Sequence, residues 1–314
     1  MSIDNKFIDK FVYITCKAAL ESSYLVGKKD KIAADKAAVD SMRSELNKID
    51  MKGQIVIGEG ELDEAPMLYI GEKLGTNTGP EFDIAVDPLE GTNFAANNLP
   101  GALSVIAVSE KNNLFKAPET YMSKISTKAK EKNVVDLDFT VKENIFNLSE
   151  YLNKKPENLT ACILDRPRHE EIINELKRLN VSVKLITDGD VSGALLVTEE
   201  KYNVDIFLGI GGGPEGVLAA TALDAFGCSF QGRFLFETEN DKKRANEMGI
   251  KDFNKKYELN EIISGDSIFC ASGITTGDLV SGITIKGNEF TSETLVTHKH
   301  SGLKKVIKLK QNLL

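Results

Sequence analysis

Between residues 160 and 225 the chain alternates short apolar runs with helix-length amphipathic ones, and this rhythm constrains the fold more than any other feature. Thr160–Leu164, Ser182–Ile186 and residues 204–208 have the length and β-branched content of strands, while residues 170–179, 191–196 and 215–225 have helical spacing. Strands that alternate with helices pair in parallel, because only a long crossover returns the chain to run in the same direction. The expectation is a parallel sheet covered by helices, with ligand groups at the carboxyl ends of its strands.

The chain outside this stretch is more mixed. Phe7, Phe11, Ile14 and Ala18, then Ala34, Ala38, Met42 and Leu46, recur at three- to four-residue steps and predict two helices joined by a turn at residues 27–30. Residues 54–58, 82–86, 103–108 and 136–142 read as strands, and Pro66 is placed in the first turn of a helix over residues 67–74. A charged helix is expected at residues 242–248, a strand at 267–271 and β structure over the last thirty residues. The polar stretch 153–158, with Pro156, is the expected joint between an α+β domain at 1–157 and an α/β domain at 158–314.

At 314 residues and 41% hydrophobic, the chain is long enough for two domains of roughly 150 residues each. Its 39 Lys and Arg face 47 Asp and Glu, and they form no basic block, so the phosphate neutralisation that nucleic-acid binding needs is missing. The most apolar region, residues 204–227, is interrupted by Asp205, Pro214, Glu215 and Asp224, short of the ~20 apolar residues of a membrane span. Cys16, Cys162, Cys228 and Cys270 are isolated and read as reduced core residues. A soluble cytoplasmic protein with neither nucleic-acid nor membrane partner is expected.

Carboxylates gather just past strand ends: Glu59 after the first strand, Asp87 and Glu90 after the second, Asp188 and Asp190 after Ser182–Ile186, and Glu215 after residues 204–208. Acids brought together repel unless a hard cation binds among them, and Mg²⁺ or Mn²⁺ suits oxygen ligands. The plain alternative is a set of acidic loops. Asp87-Pro88-Leu89-Glu90-Gly91-Thr92 is the most specific stretch: two carboxylates around a proline can face one metal pair, Gly91 admits a ligand to the backbone, and Thr92 adds a hydroxyl. A β-turn with a helix cap would leave a similar trace.

Gly211-Gly212-Gly213-Pro214-Glu215-Gly216 matches a dinucleotide-binding GxGxxG, but Glu215 would stand where the pyrophosphate lies. Arg166-Pro167-Arg168 sets two guanidinium groups around a stiff proline, a shape suited to a phosphate as well as to a solvated loop. Tyr121 and Lys31 do not stand out by composition. His298-Lys299-His300 is taken as an exposed β edge, and three histidines in all, including His169, make a zinc site or a histidine triad unattractive.

Several stretches together resemble the class II fructose-1,6-bisphosphatases, a bacterial branch of the lithium-sensitive, metal-dependent sugar-phosphatase superfamily. The resemblance runs through residues 31–35, 42–43, 56–72, 83–92, 117–124, 166–169, 188–191, 209–218, 231–233, 273–279 and 293–295, most of the chain. It implies a layered αβαβα fold, with Asp35 and Glu59 as ligands of one metal and Asp87, Glu90 and Glu215 as ligands of another. The implied substrate contacts are Glu90, Gly91, Thr92, Tyr121, Arg166, Pro167, Arg168, Asp188, Gly189, Asp190 and Gly212. In that scheme the arginines and tyrosine meet the distal phosphate and the aspartates the sugar hydroxyls.

The resemblance also implies hydrolysis of the 1-phosphate of fructose 1,6-bisphosphate in gluconeogenesis, by in-line attack of a metal-activated water. Two or more Mg²⁺ or Mn²⁺ per site would take part, with Thr92 orienting the water and Lys31 and Asp63 assisting. A homo-oligomer, dimer or tetramer, goes with it. Gly213 stands where an alanine is common and residues 236–248 are compact, but neither touches a matched ligand. Sedoheptulose 1,7-bisphosphate or an inositol phosphate is the nearest alternative substrate; a non-catalytic sugar-phosphate sensor and a dinucleotide oxidoreductase are alternatives of other classes.

Overall fold

A computed structural model describes residues 2–60 and 67–313. In chain order its first elements are α1 (Lys6–Ser23), α2 (Lys31–Leu46), β1 (Lys52–Ile57), β2 (Lys73–Leu74), β3 (Glu81–Glu90), α3 (Thr92–Ala96) and β4 (Leu103–Glu110). There follow β5 (Tyr121–Thr127), α4 (Val141–Leu152), β6 (Thr160–Leu164), α5 (Glu170–Arg178), β7 (Ser182–Ile186), α6 (Asp190–Leu195), β8 (Ile206–Gly212), α7 (Gly213–Phe226) and β9 (Ser229–Leu235). The chain closes with α8 (Glu239–Glu247), β10 (Tyr257–Glu258), α9 (Leu259–Ile262), β11 (Ser267–Gly273), β12 (Thr284–Lys286), β13 (Glu289–His298) and β14 (Leu303–Asn312).

These elements form two compact units, residues 1–115 with 264–314 and residues 116–263. The first unit is built on a mixed sheet of order β12-β13-β11-β4-β3-β1-β2, with β14 along β13. Its helices form as their apolar spacing requires: Phe7, Phe11, Ile14 and Ala18 of α1 and Ala34, Ala38, Met42 and Leu46 of α2 are all buried in one core. Asp30 caps α2 by accepting the Ala33 N–H at 2.9 Å. Phe82 meets the Phe7 ring edge-on, 5.1 Å between centroids, and fixes α1 on the sheet.

Three expectations change in this unit. Residues 67–74 are not helical, because Leu68 is left-handed at φ +53° and the segment bonds instead to β1, with Ile55 N–H donating to Glu72 O at 2.9 Å and Gly71 N–H to Ile55 O at 2.8 Å. Pro66 lies outside the described residues. His298 is fully buried rather than exposed, since β14 covers β13 and the carboxylate of Asp266 stands 3.0 Å from Nε2. Residues 264–314, expected in the second domain, complete the first sheet: β11 pairs antiparallel with β4 from Ser267↔Ser109 to Gly273↔Leu103.

The second unit carries a sheet of order β10-β9-β5-β8-β6-β7. β6 runs parallel to β7 and β8, as the alternating rhythm predicts, but β5 and β9 run antiparallel to their neighbours, so the sheet is mixed. Residues 136–142 are no strand: Asn144 bonds both ways with the Asp136 backbone, at 2.7 and 2.9 Å, and Thr140 with Glu143 forms the capping box that starts α4. The stretch 153–158 lies inside this unit, where left-handed Asn153 ends α4 and a single turn leads into β6. All four cysteines are buried. No helix among the described residues is long and apolar enough to cross a membrane.

Candidate active site

In the first unit the acids are placed by a fault in a strand. Asp87 and Glu90 are three apart, which in a regular strand would put them on opposite faces. Along β3, however, Asp87 pairs with Val105 and Glu90 with Leu103, two residues apart, so a bulge absorbs one position and turns both carboxylates to the same face. Pro88, which has no N–H to give a ladder, sits in that bulge. Gly91 then turns left-handed at φ +79° and opens α3 at Thr92.

Lys31 and Asp35, four apart on α2, lie on one face of a helix that packs against β3 and α3. The preceding turn is tied to α3 by Gly27 N–H to Ala95 O and Lys29 N–H to Ala96 O, both 2.9 Å. Burial alone pushes the Asp35 carboxyl above its usual range. Glu59 follows β1, its N–H donating to Leu68 O at 3.0 Å. Asp63 lies outside the described residues.

In the second unit the glycine-rich turn between β8 and α7 makes room for charged side chains, not for a nucleotide. A Cβ on Gly211 would run into the Asp190 carboxylate, and one on Gly212 into that of Glu215. Between them stands Lys124, 1% exposed, its ammonium in contact with Asp190 and donating to Gly212 O at 2.7 Å. Oδ1 of Asp190 and Oε2 of Glu215 are buried, with no hydrogen-bond partner among the described residues. Burial raises the Glu215 pKa; the Lys124 ammonium opposes this, Asp190 and Asp188 reinforce it, and the net shift is upward.

Gly189, left-handed at φ +83°, turns the chain from Asp188 into α6 at Asp190. On the same sheet, Tyr121 pairs with Gly212, and the Arg168 guanidinium lies 4.8 Å from the centroid of the Tyr121 ring. Arg168 spends Nε and Nη2 on the Ile210 carbonyl, at 3.1 and 2.8 Å, and Arg166 donates to the Asp165 carbonyl at 3.0 Å. Pro167 stands between the two arginines and opens the short turn Pro167–His169, which Arg166 precedes and Arg168 lies within.

Residues 5–311 match the family described as bacterial fructose-1,6-bisphosphatase, glpX-encoded. The chain belongs to that family. Among curated relatives of the bacterial fructose-1,6-bisphosphatases, a Trichodesmium erythraeum protein named D-fructose 1,6-bisphosphatase class 2/sedoheptulose 1,7-bisphosphatase is 40% identical, covering 95% of this chain and 94% of its own. A Prochlorococcus marinus protein of the same name is 41% identical, over 94% and 92%. Solved structures with some likeness are an extragenic suppressor protein from Bartonella henselae (11% identity, 62% of this chain, 73% of that one, TM-score 0.37) and an inositol monophosphatase from Anabaena (14%, 62%, 71%, TM-score 0.32).

For a fructose-1,6-bisphosphatase the donor set suits a hard divalent cation. Every expected ligand is a carboxylate, and Oε2 of Glu215, buried with no hydrogen-bond partner among the described residues, is a group that a cation would balance. Among the described residues no three His, Cys, Asp or Glu side chains converge as a metal-holding group. The structure joins Asp87 with Glu90 on one strand face, and Asp190 with Lys124 and the turn that carries Glu215. Lys124 and His169, which the sequence alone does not single out, lie among these side chains. Their signals are a lysine inside an apolar strand and a histidine next to paired arginines.

Proposed function

We propose that the protein hydrolyses the 1-phosphate of fructose 1,6-bisphosphate to fructose 6-phosphate and phosphate. The family match along residues 5–311 carries this reading. A water oxygen attacks phosphorus in line, the bond from phosphorus to the sugar C1 oxygen breaks, and that oxygen takes up a proton. Asp35 and Glu59 would hold one metal, and Asp87, Glu90 and Glu215 another, two or more Mg²⁺ or Mn²⁺ per site. Bound there, they would acidify the attacking water and neutralise charge on the phosphoryl and leaving oxygens.

The Thr92 hydroxyl orients the water, and Gly91 lets the phosphate approach the backbone. Lys31 adds positive charge beside Asp35. The remaining donors of Arg166 and Arg168, with Tyr121, take the distal phosphate, while Asp188 and Asp190 accept from sugar hydroxyls. Asp63 belongs to the same proposal by resemblance. The reading makes the protein a cytoplasmic homo-oligomer, dimer or tetramer, in gluconeogenesis. Because its relatives are named for both activities, sedoheptulose 1,7-bisphosphate is the second substrate.

Phosphate release from fructose 1,6-bisphosphate, sedoheptulose 1,7-bisphosphate and inositol 1-phosphate, each with Mg²⁺, Mn²⁺ or excess chelator, tests the proposal. Release from the first only with metal, and its near-complete loss in Glu59→Gln, is expected. Full activity in chelator sinks it; binding without turnover in metal-replete buffer would instead indicate a sensor.

A further inference from the structure

His169 is fully buried among strands that carry expected substrate contacts, and the proposed chemistry does not use it. Its surroundings fix its protonation. Nδ1 stands 2.7 Å from the Leu164 carbonyl, which can only accept, and Nε2 stands 2.7 Å from the Ile210 N–H, which can only donate. The ring is therefore the neutral tautomer with its proton on Nδ1.

Leu164 ends β6 and Ile210 lies in β8. These strands pair in parallel only at Ala161↔Ile206 and Cys162↔Phe207. Beyond those positions the imidazole replaces the next rung, one nitrogen to each strand. Two backbones linked through a ring stand farther apart than the ~4.8 Å of a direct ladder, so the strands splay at their carboxyl ends, where ligands enter such sheets. Gly209 makes the space: its φ is +140°, and a Cβ there would lie 3.1 Å from Nε2.

The same Ile210 is held a second time. Its carbonyl accepts from Nε and Nη2 of Arg168, so consecutive side chains of one short turn grip both polar atoms of one residue. With the Arg168 stem tied there, its guanidinium is set over the Tyr121 ring.

We propose that His169 is a positioning residue for the distal phosphate: by bridging β6 and β8 it sets the Arg166-Pro167-Arg168 turn, and with it the Arg168–Tyr121 pair, in place to receive that group. This rests on the reading of those side chains as distal-phosphate contacts. The ring touches no reacting atom, so its loss should show only when the substrate carries the second phosphate.

The full-length protein, wild type and His169→Phe, is assayed for phosphate release from fructose 1,6-bisphosphate and from fructose 1-phosphate, with folding checked by circular dichroism. His169→Phe should raise KM for the bisphosphate about 10- to 100-fold, as loss of an oriented charge-assisted contact implies, while leaving kcat and the kinetics on fructose 1-phosphate unchanged. His169→Gln, whose amide can donate to one strand and accept from the other, should recover most of the loss. If His169→Phe does not fold, His169→Asn, too short to reach both strands, gives the same split. Equal loss on both substrates, or a change in kcat alone, overturns the positioning role while leaving the bisphosphatase reading intact. A wild-type protein that cleaves neither substrate overturns that reading, and this proposal with it.

Discussion

The ammonium of Lys124 is buried against the carboxylate of Asp190, and with the carbonyl of Gly212 that contact ties β5, α6 and the β8–α7 turn together. Removing one partner leaves an uncompensated buried charge, which costs about 3–5 kcal/mol. Lys124→Met should lower the chemical-denaturation midpoint by a corresponding amount, and Lys124→Met with Asp190→Asn by less than the two singles together. Additive losses would show that the two groups are not coupled.

Gly212→Ala leaves backbone geometry alone, since Gly212 sits at φ −66°, but drives a methyl group into the Glu215 carboxylate. The carboxylate must move. If Glu215 holds metal as proposed, displacing it in this way should weaken Mg²⁺ affinity about 10- to 100-fold. The observable is the Mg²⁺ concentration at half-maximal phosphate release, with an unchanged circular dichroism spectrum as control.

Asp266 links the chain's start to its end, accepting from Ile3 N–H at 2.7 Å, His300 N–H at 2.8 Å and the His298 ring at 3.0 Å. Burial alone would raise its pKa, but these donors outweigh burial and hold it below the usual carboxylate range. A carboxyl depressed in the folded state stabilises fully above its unfolded value, about 3.9, and loses that contribution as pH falls through the folded one. Asp266→Ala should therefore cost roughly 1–3 kcal/mol near pH 7, and the gap from wild type should close below about pH 4. A gap constant with pH would refute this account.

All four cysteines are buried, and burial pushes the thiols of Cys16 and Cys270 well up. Thiols held protonated and out of reach do not react. A colorimetric thiol reagent should titrate none in the native protein and four in denaturant; any fast-reacting native thiol contradicts the packing.

Local signals were legible in the sequence and long-range ones were not. β6 and β7 have the bounds their apolar runs suggest, because a short buried strand between turns is written in consecutive residues. β5 is not legible in the sequence because Lys124 interrupts its apolar face, and only a folded neighbourhood supplies Asp190 and the Gly212 carbonyl to receive that charge. The unit boundary is hidden for a similar reason: nothing near residue 267 announces that its partner is residue 109. Site chemistry divides the same way. The two acids around Pro88 stand out, but the bulge that turns them to one face depends on the register with β4. The arginines beside His169 mark its neighbourhood, but not its contacts, because both its partners are backbone atoms, one of them 41 positions away.

The return of residues 264–314 to the first sheet has a consequence for the nascent chain. β4 leaves the ribosome with one side paired to β3, and its other partner, β11, follows after about 150 residues, a wait of roughly 8–30 seconds at typical elongation rates of about 5–20 residues per second. The second unit, residues 116–263, is complete before that wait ends. Translation therefore offers the later-encoded unit its full set of contacts first, while the exposed apolar flank of β4 is where a chaperone would be needed.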